Sequence, residues 1–199
     1  VWIAYEQRAS DWGKDFGPLS SVSGSPLYMR GSSVQVRCVV DGRLMQPAGE
    51  LMKNFPDDLK RYNSYPRLAF DGRGRLWLVF RHRHEAVWGG NPSAMMVGGV
   101  WLEYATSYDG EEWSPPIFLA SSDNLLDVRA ALARVGTGES ARLLAIYPSD
   151  GRLRNEVVGE EHQRKIFFTG GGVSVPGQVK NDLFAAVLPD LGPAKPMKL

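Results

Sequence analysis

Two stretches of the chain repeat each other's turns and strands, and this repeat limits the fold more than any other feature. Residues 65–83, "YPRLAFDGRGRLWLVFRHR", can be set against residues 127–152, "DVRAALARVGTGESARLLAIYPSDGR". Arg67 falls on Arg129, each opening a short apolar strand. A glycine-containing turn follows, then a second strand, "RLWLVF" in one copy and "RLLAIY" in the other. The opening "VWIAYEQR" matches that second strand again, with Trp2 on Trp77 and Leu144, and Tyr5 on Phe80 and Tyr147. A second pair of segments agrees. "VVDGRLMQP" (39–47) aligns with "SYDGEEWSP" (107–115), placing Asp41-Gly42 on Asp109-Gly110 and Pro47 on Pro115. Asp-Gly between strand-like runs signals a hairpin, because both residues tolerate positive φ.

The matching features recur at spacings of roughly 60–75 residues, enough for four short antiparallel strands, the content of a β-propeller blade. With strands lettered a (innermost) to d (outermost), residues 1–55 supply b, c and d as "VWIAYE", "SVQVRCVV" and "LMQPAGEL". Residues 65–120 supply a whole blade: "RLAF", "RLWLVF", "VWLEYATS" and "EWSPPIFL". Residues 127–188 supply another: "RAALAR", "RLLAIY", "KIFFTG" and "DLFAAVL". The expected fold is therefore all-β, with antiparallel four-stranded blades of an incomplete propeller, fewer than three in this chain. Residues 189–199, "PDLGPAKPMKL", read as a Pro-rich linker leaving the propeller segment 1–188. A closed propeller has typically about four to eight blades, so the remaining blades of the same protein are expected partners.

Composition agrees with a globular β protein. Of 199 residues 43% are apolar, and 22 glycines and 13 prolines suit many turns. A formal net charge of +1 gives no case for nucleic acid or an acidic membrane surface, and no apolar run reaches membrane-spanning length. The single cysteine, Cys38, excludes an internal disulfide but leaves the compartment open. A secreted or periplasmic location is the working expectation. The chain opens Val1-Trp2-Ile3-Ala4-Tyr5, like the inside of a strand and without methionine, so its true start is expected upstream.

"S-Y-D-G-E-E-W", with Ser107, Asp109, Gly110 and Trp113, resembles the Asp-box (BNR repeat) of sialidase-like β-propellers in its shorter Ser-x-Asp-Gly-x-x-Trp form. "PRLAFDGRGRLWLVF" looks like the a–b hairpin of the same blades. The resemblance implies that residues 107–113 form a c–d turn locked by the Asp and the aromatic, a structural role. "VVDGRLMQP" is a degenerate copy, and "ASDWGKDF" (9–16) follows a b strand, so it reads as a turn-rich loop. The end "NDLFAAVLPDLGPAKP" is similar to the junction at which some bacterial proteins join such a propeller to a metal-dependent PHP-type hydrolase domain.

Candidate site residues lie in the long b–c and d–a loops, opposite the short Asp-Gly turns. Arg67 and Arg129 come first. An arginine fork holds carboxylates or phosphates bidentately, and the resemblance adds that sialidase-like enzymes clamp a substrate carboxylate with three arginines. The competing reading makes each a strut between blades. Asn63 and Asn124 precede them and can donate to a sugar or anion, or simply shape turns. Arg81 and His82 open "RHRHEAVW", where strand alternation puts His82 and His84 on one side. A metal site there would need a third ligand, and none is assigned. Glu6 and Asp11 are candidate acids without an identified partner, and Trp12 and Trp88 could stack on sugars.

No Arg-Ile-Pro or Arg-Leu-Pro occurs, and neither a P-loop nor Gly-x-Ser-x-Gly is present. The expectation is a ligand- or partner-binding module of a larger, bacterial protein. At its channel mouth it would carry a site for an acidic sugar or another anionic small molecule, with no cofactor. The alternatives are part of an exo-sialidase-type glycoside hydrolase and a propeller accessory to a C-terminal PHP-type hydrolase.

Overall fold

The Asp-Gly pairs do make the turns between strands. In a computed structural model, which describes residues 1–8, 32–87, 97–124, 129–149 and 182–196 (backbone alone at 84–87 and 97–100), every named strand pairing is antiparallel. The first sheet has the order β1 (Trp2–Gln7), β2 (Ser33–Val40), β3 (Arg43–Met45). Asp41 (φ 50°) and Gly42 (φ 75°) close the β2–β3 hairpin, both left-handed as a two-residue turn requires. The second sheet is a four-stranded meander over 63–118: β4 (Asn63–Phe70), β5 (Leu76–Val87), β6 (Val97–Tyr108) and β7 (Ile117–Phe118). In the third, β9 (Arg142–Ser149) lies between β8 (Ala131–Val135) and β10 (Asp182–Val187).

Alternation along the strands decides how the sheets stack. On β5, Leu76, Leu78 and Phe80 enter one core with Val34 and Val36 of the first sheet. Trp77 and Val79 enter a second core with Leu143, Ala145 and Tyr147 of the third. The middle sheet is thus covered on both faces, which is why "LWLVF" is a continuous apolar run. Equivalent residues keep equivalent faces. Trp2 looks onto the middle sheet and Trp77 onto the third. Phe80 looks back to the first sheet, and Tyr147 back to the middle one.

The 107–114 turn is tied at several points. Asp109 Oδ1 accepts the amides of Glu111 and Glu112, both at 2.9 Å, and Ser114 N donates to Ser107 O at 2.8 Å. Trp113 is buried against Tyr108, with ring centroids 5.2 Å apart. On the neighbouring turn, Asp71 Oδ2 accepts the Trp77 indole N–H at 3.0 Å while Oδ1 accepts the amides of Arg73 and Arg75.

Two expectations are corrected. "DLFAAVL" pairs directly with β9, so it occupies the third position of its sheet, where "KIFFTG" (165–170) had been expected; "KIFFTG" itself lies outside the described residues. Residues 189–196 do not leave the sheets. They cross the turn end of the second and third sheets: Ala194 N donates to Arg73 O (3.1 Å), Lys195 N to Asp109 O (2.6 Å) and Arg75 Nη2 to Leu191 O (2.8 Å). Asp190 pairs with both Arg73 and Arg142. Among the described residues the sheets do not close into a ring, and no helix is long and apolar enough to cross a membrane.

Candidate functional site

The odd-numbered face of the middle sheet changes character along its length. Near the Asp71 and Asp109 turns it presents Trp77, Val79 and Ala105 to the third sheet. Two residues further from those turns the same alternation presents Arg81 on β5 and, directly across the ladder, Glu103 on β6; then come Arg83 and Trp101, again a register pair. All four are buried.

Arginines and aromatics alternate here. The Arg81 guanidinium carbon lies 3.7 Å from the Trp101 ring centroid and 4.4 Å from that of Tyr65. Arg129 covers Tyr65 at 4.0 Å, and Arg83 approaches Trp101 at 5.7 Å. The resulting stack reads Arg83, Trp101, Arg81, Tyr65, Arg129. Stacking suits guanidinium because the plane faces the ring while its N–H edge stays available for acceptors.

A backbone irregularity positions Tyr65. The β4–β5 register shifts between Ser64 and Arg67, and Tyr65 takes φ 50° in that bulge. Its amide, turned out of the ladder, donates to Glu6 Oε1 at 2.8 Å, while Glu6 Oε2 accepts from Arg8. Glu6 therefore anchors the bulge. Arg67, just past it, is exposed and donates to Pro66 O at 3.1 Å; Arg129 is exposed as well.

Glu103 is the acid of the cluster. Burial pushes its carboxyl up to about 7, while the positive charge of Arg81, a hydrogen bond from the Ala130 amide and the charge of Arg67 hold it down. Its own amide donates to Ser122 Oγ at 2.9 Å. The neighbouring buried acid, Asp123, accepts from Ser149 Oγ at 3.2 Å.

The expected site residues divide. Arg81 and Arg129 stack on Tyr65, and Arg81 and Arg67 act on the Glu103 carboxyl. Asn63 does not face a ligand: it is fully buried, its Nδ2 donating to Leu59 O at 2.6 Å and its Oδ1 meeting His82 Nδ1 at 3.0 Å. His82 is buried on the opposite face of the sheet, edge-on to Tyr104. The Asn63–His82 pair thus fastens the loop after Leu59 and is corrected to a structural role. Asn124 is buried at a backbone bridge to Trp101 (2.8 and 3.0 Å) and also shapes the site from behind. Asp11, Trp12 and Trp88 lie outside the described residues. Among the described residues no three potential metal-binding side chains cluster.

Tyr65, Trp101 and Glu103 were not singled out from sequence. The available signal was Glu103 itself, an acid inside the apolar run "VWLEYA" and at the same strand level as Arg81. No protein family, curated protein or solved structure matches the chain.

Proposed function

We propose that the chain is a segment of an Asp-box-type β-propeller that binds an anionic small molecule, best a carboxylate-bearing sugar, between its second and third sheets. One observation carries the binding reading: arginines from two sheets, Arg81 on one and Arg129 at the start of the other, converge on a single tyrosine, Arg129 exposed, while the exposed Arg67 acts with Arg81 on the Glu103 carboxyl. An oxyanion there meets several charge-assisted donors, each contributing roughly 1.5–3 kcal/mol before desolvation.

The propeller reading is supported by the shared facing of repeat-equivalent residues and, among the described residues, by exposed apolar side chains on the outer faces. Tyr5 is 38% exposed, whereas its equivalents Phe80 and Tyr147 are 0% and 2% exposed beneath a preceding sheet. Binding is preferred to glycoside hydrolysis. A tyrosine nucleophile needs a lowered phenol pKa. Of the described tyrosines, burial instead pushes Tyr104 up to about 12 and raises Tyr108 and Tyr147.

Calorimetric titration of wild type and Arg129→Ala with glucuronate and with inorganic phosphate tests the reading. Arg129→Ala should lose roughly tenfold or more in affinity, with the melting temperature moved by less than about 4 °C, because an exposed cation–π contact is worth only about 0.5–1 kcal/mol. A large fall in melting temperature with affinity unchanged would make Arg129 a strut between sheets. Absence of binding by wild type would remove the site.

A further inference from the structure

We propose that Glu103 is a proton-controlled gate of this anion site: protonated, it leaves the Arg81 and Arg67 charges to a bound anion; ionised, it competes for them. The inference rests on the anion-binding reading and adds a regulator to it.

The placement carries the argument. Glu103 is 4% exposed and stands in register with Arg81, itself 3% exposed, on the face turned toward the third sheet. Such a carboxyl has two states separated by a full charge in a low-dielectric setting that screens it little. Arg67 on β4 acts on the same carboxyl, and the Ala130 amide, just before β8, donates to it. The gate therefore touches both sheets that supply the exposed arginines. Among the described residues, the other charged or titratable groups near it in the fold are Arg83 of β5, Asp123 after β7, Arg129 before β8 and Tyr147 of β9. Asp123 is held by Ser149 and the Tyr147 hydroxyl by Ala120 O. His82, the nearest histidine in sequence, lies on the opposite face against Asn63. Burial raises the Glu103 carboxyl to about 7, so it changes charge around neutral pH. Linkage then works both ways: lowering pH tightens anion binding, and a bound anion raises the proton affinity of Glu103.

The test is titration of the chain with glucuronate, which stays ionised throughout, at pH 5.5 and pH 8.0, using wild type and Glu103→Gln. Wild type should bind roughly tenfold tighter at pH 5.5. Glu103→Gln, neutral at both values, should bind at pH 8.0 with the affinity that wild type shows at pH 5.5. Equal wild-type affinity at the two pH values, or an undiminished pH dependence in Glu103→Gln, overturns the gate while leaving the site intact. No binding by either protein at either pH overturns the anion-binding reading itself. A carbon-detected NMR titration of the wild-type Glu103 carboxyl guards against misfolding of the variant. Its midpoint should rise on adding glucuronate, and an unmoved midpoint in the presence of demonstrated binding overturns the gate.

Discussion

Tyr65 holds a left-handed backbone conformation while its ring separates two guanidinium groups, and Glu6 receives the amide that the bulge turns outward. Left-handed φ in a bulky residue costs of order 1–3 kcal/mol and persists only where surroundings enforce it. Tyr65→Phe should keep the stack and the anion affinity, whereas Tyr65→Gly should melt no lower yet bind glucuronate several-fold more weakly. If the glycine variant binds equally well, the ring has no part in the site. Glu103 gives the second prediction at this scale. Its folded pKa of about 7 exceeds the ordinary 4.5, so the stabilisation of its protonated form is complete below about pH 4.5. It is lost as pH rises through 7, on the order of 3 kcal/mol in all. Wild type should therefore lose melting temperature between pH 5 and 8 relative to Glu103→Gln; parallel curves would contradict the shift. Asp109 runs the other way. Burial raises its carboxyl, but the amides of Glu112 and Glu111 and the Lys195 ammonium more than offset this and hold it low, so its contribution is lost only in acid. Arg67 and Arg129 were legible because the repeat aligns them, and Arg81 because it opens the polar run "RHRHEAVW". Asn63 and His82 were misread because polar residues at a strand end look solvated, and only the turn carrying Leu59 buries them.

The C-terminal strap shows how far composition reaches for an element. Its Pro and Gly content reads as a linker, but its partners, Arg73, Arg75 and Asp109, are more than 80 residues away in sequence, so no local pattern announces the docking. Truncation after Pro189 removes the Ala194 and Lys195 backbone bonds and the Arg75 contacts. It should lower the melting temperature by about 5 °C or more. Asp190→Ala, which loses two partly exposed ion pairs and one exposed hydrogen bond from the Gly192 amide, should cost under about 3 °C. Equal effects would mean that the ion pairs, not the backbone, hold the strap. Gly110 (φ 107°) packs against the Lys195 carbonyl where a Cβ would have to sit. Gly110→Ala should therefore abolish hydrogen-exchange protection of the Lys195 amide; retained protection would contradict this packing. The strands were legible wherever both neighbours were close in sequence, as in the 63–118 meander. The partner of β10 was not, because "KIFFTG" carries an equally good strand pattern and precedes it.

Among the described residues the three sheets bury the faces between them and leave the outermost ones with exposed apolar side chains. Ile3 and Tyr5 are exposed on the first sheet, Leu183 and Val187 on the third. In a propeller such faces meet the next blade, and alone they promote association. Leu183→Lys with Val187→Lys should make the isolated chain more monodisperse in light scattering without lowering its melting temperature. A destabilised double variant would show that this face already packs within the chain. The central claim joins the stacking to the arginines, and a crystal structure of the chain grown with glucuronate tests both at once. The account predicts residues 63–118 as the middle of three stacked antiparallel sheets, with the sugar carboxylate within hydrogen-bond distance of Arg67 and Arg129. Stacked sheets with both guanidinium groups engaged by protein carboxylates and the sugar absent or bound elsewhere would contradict it.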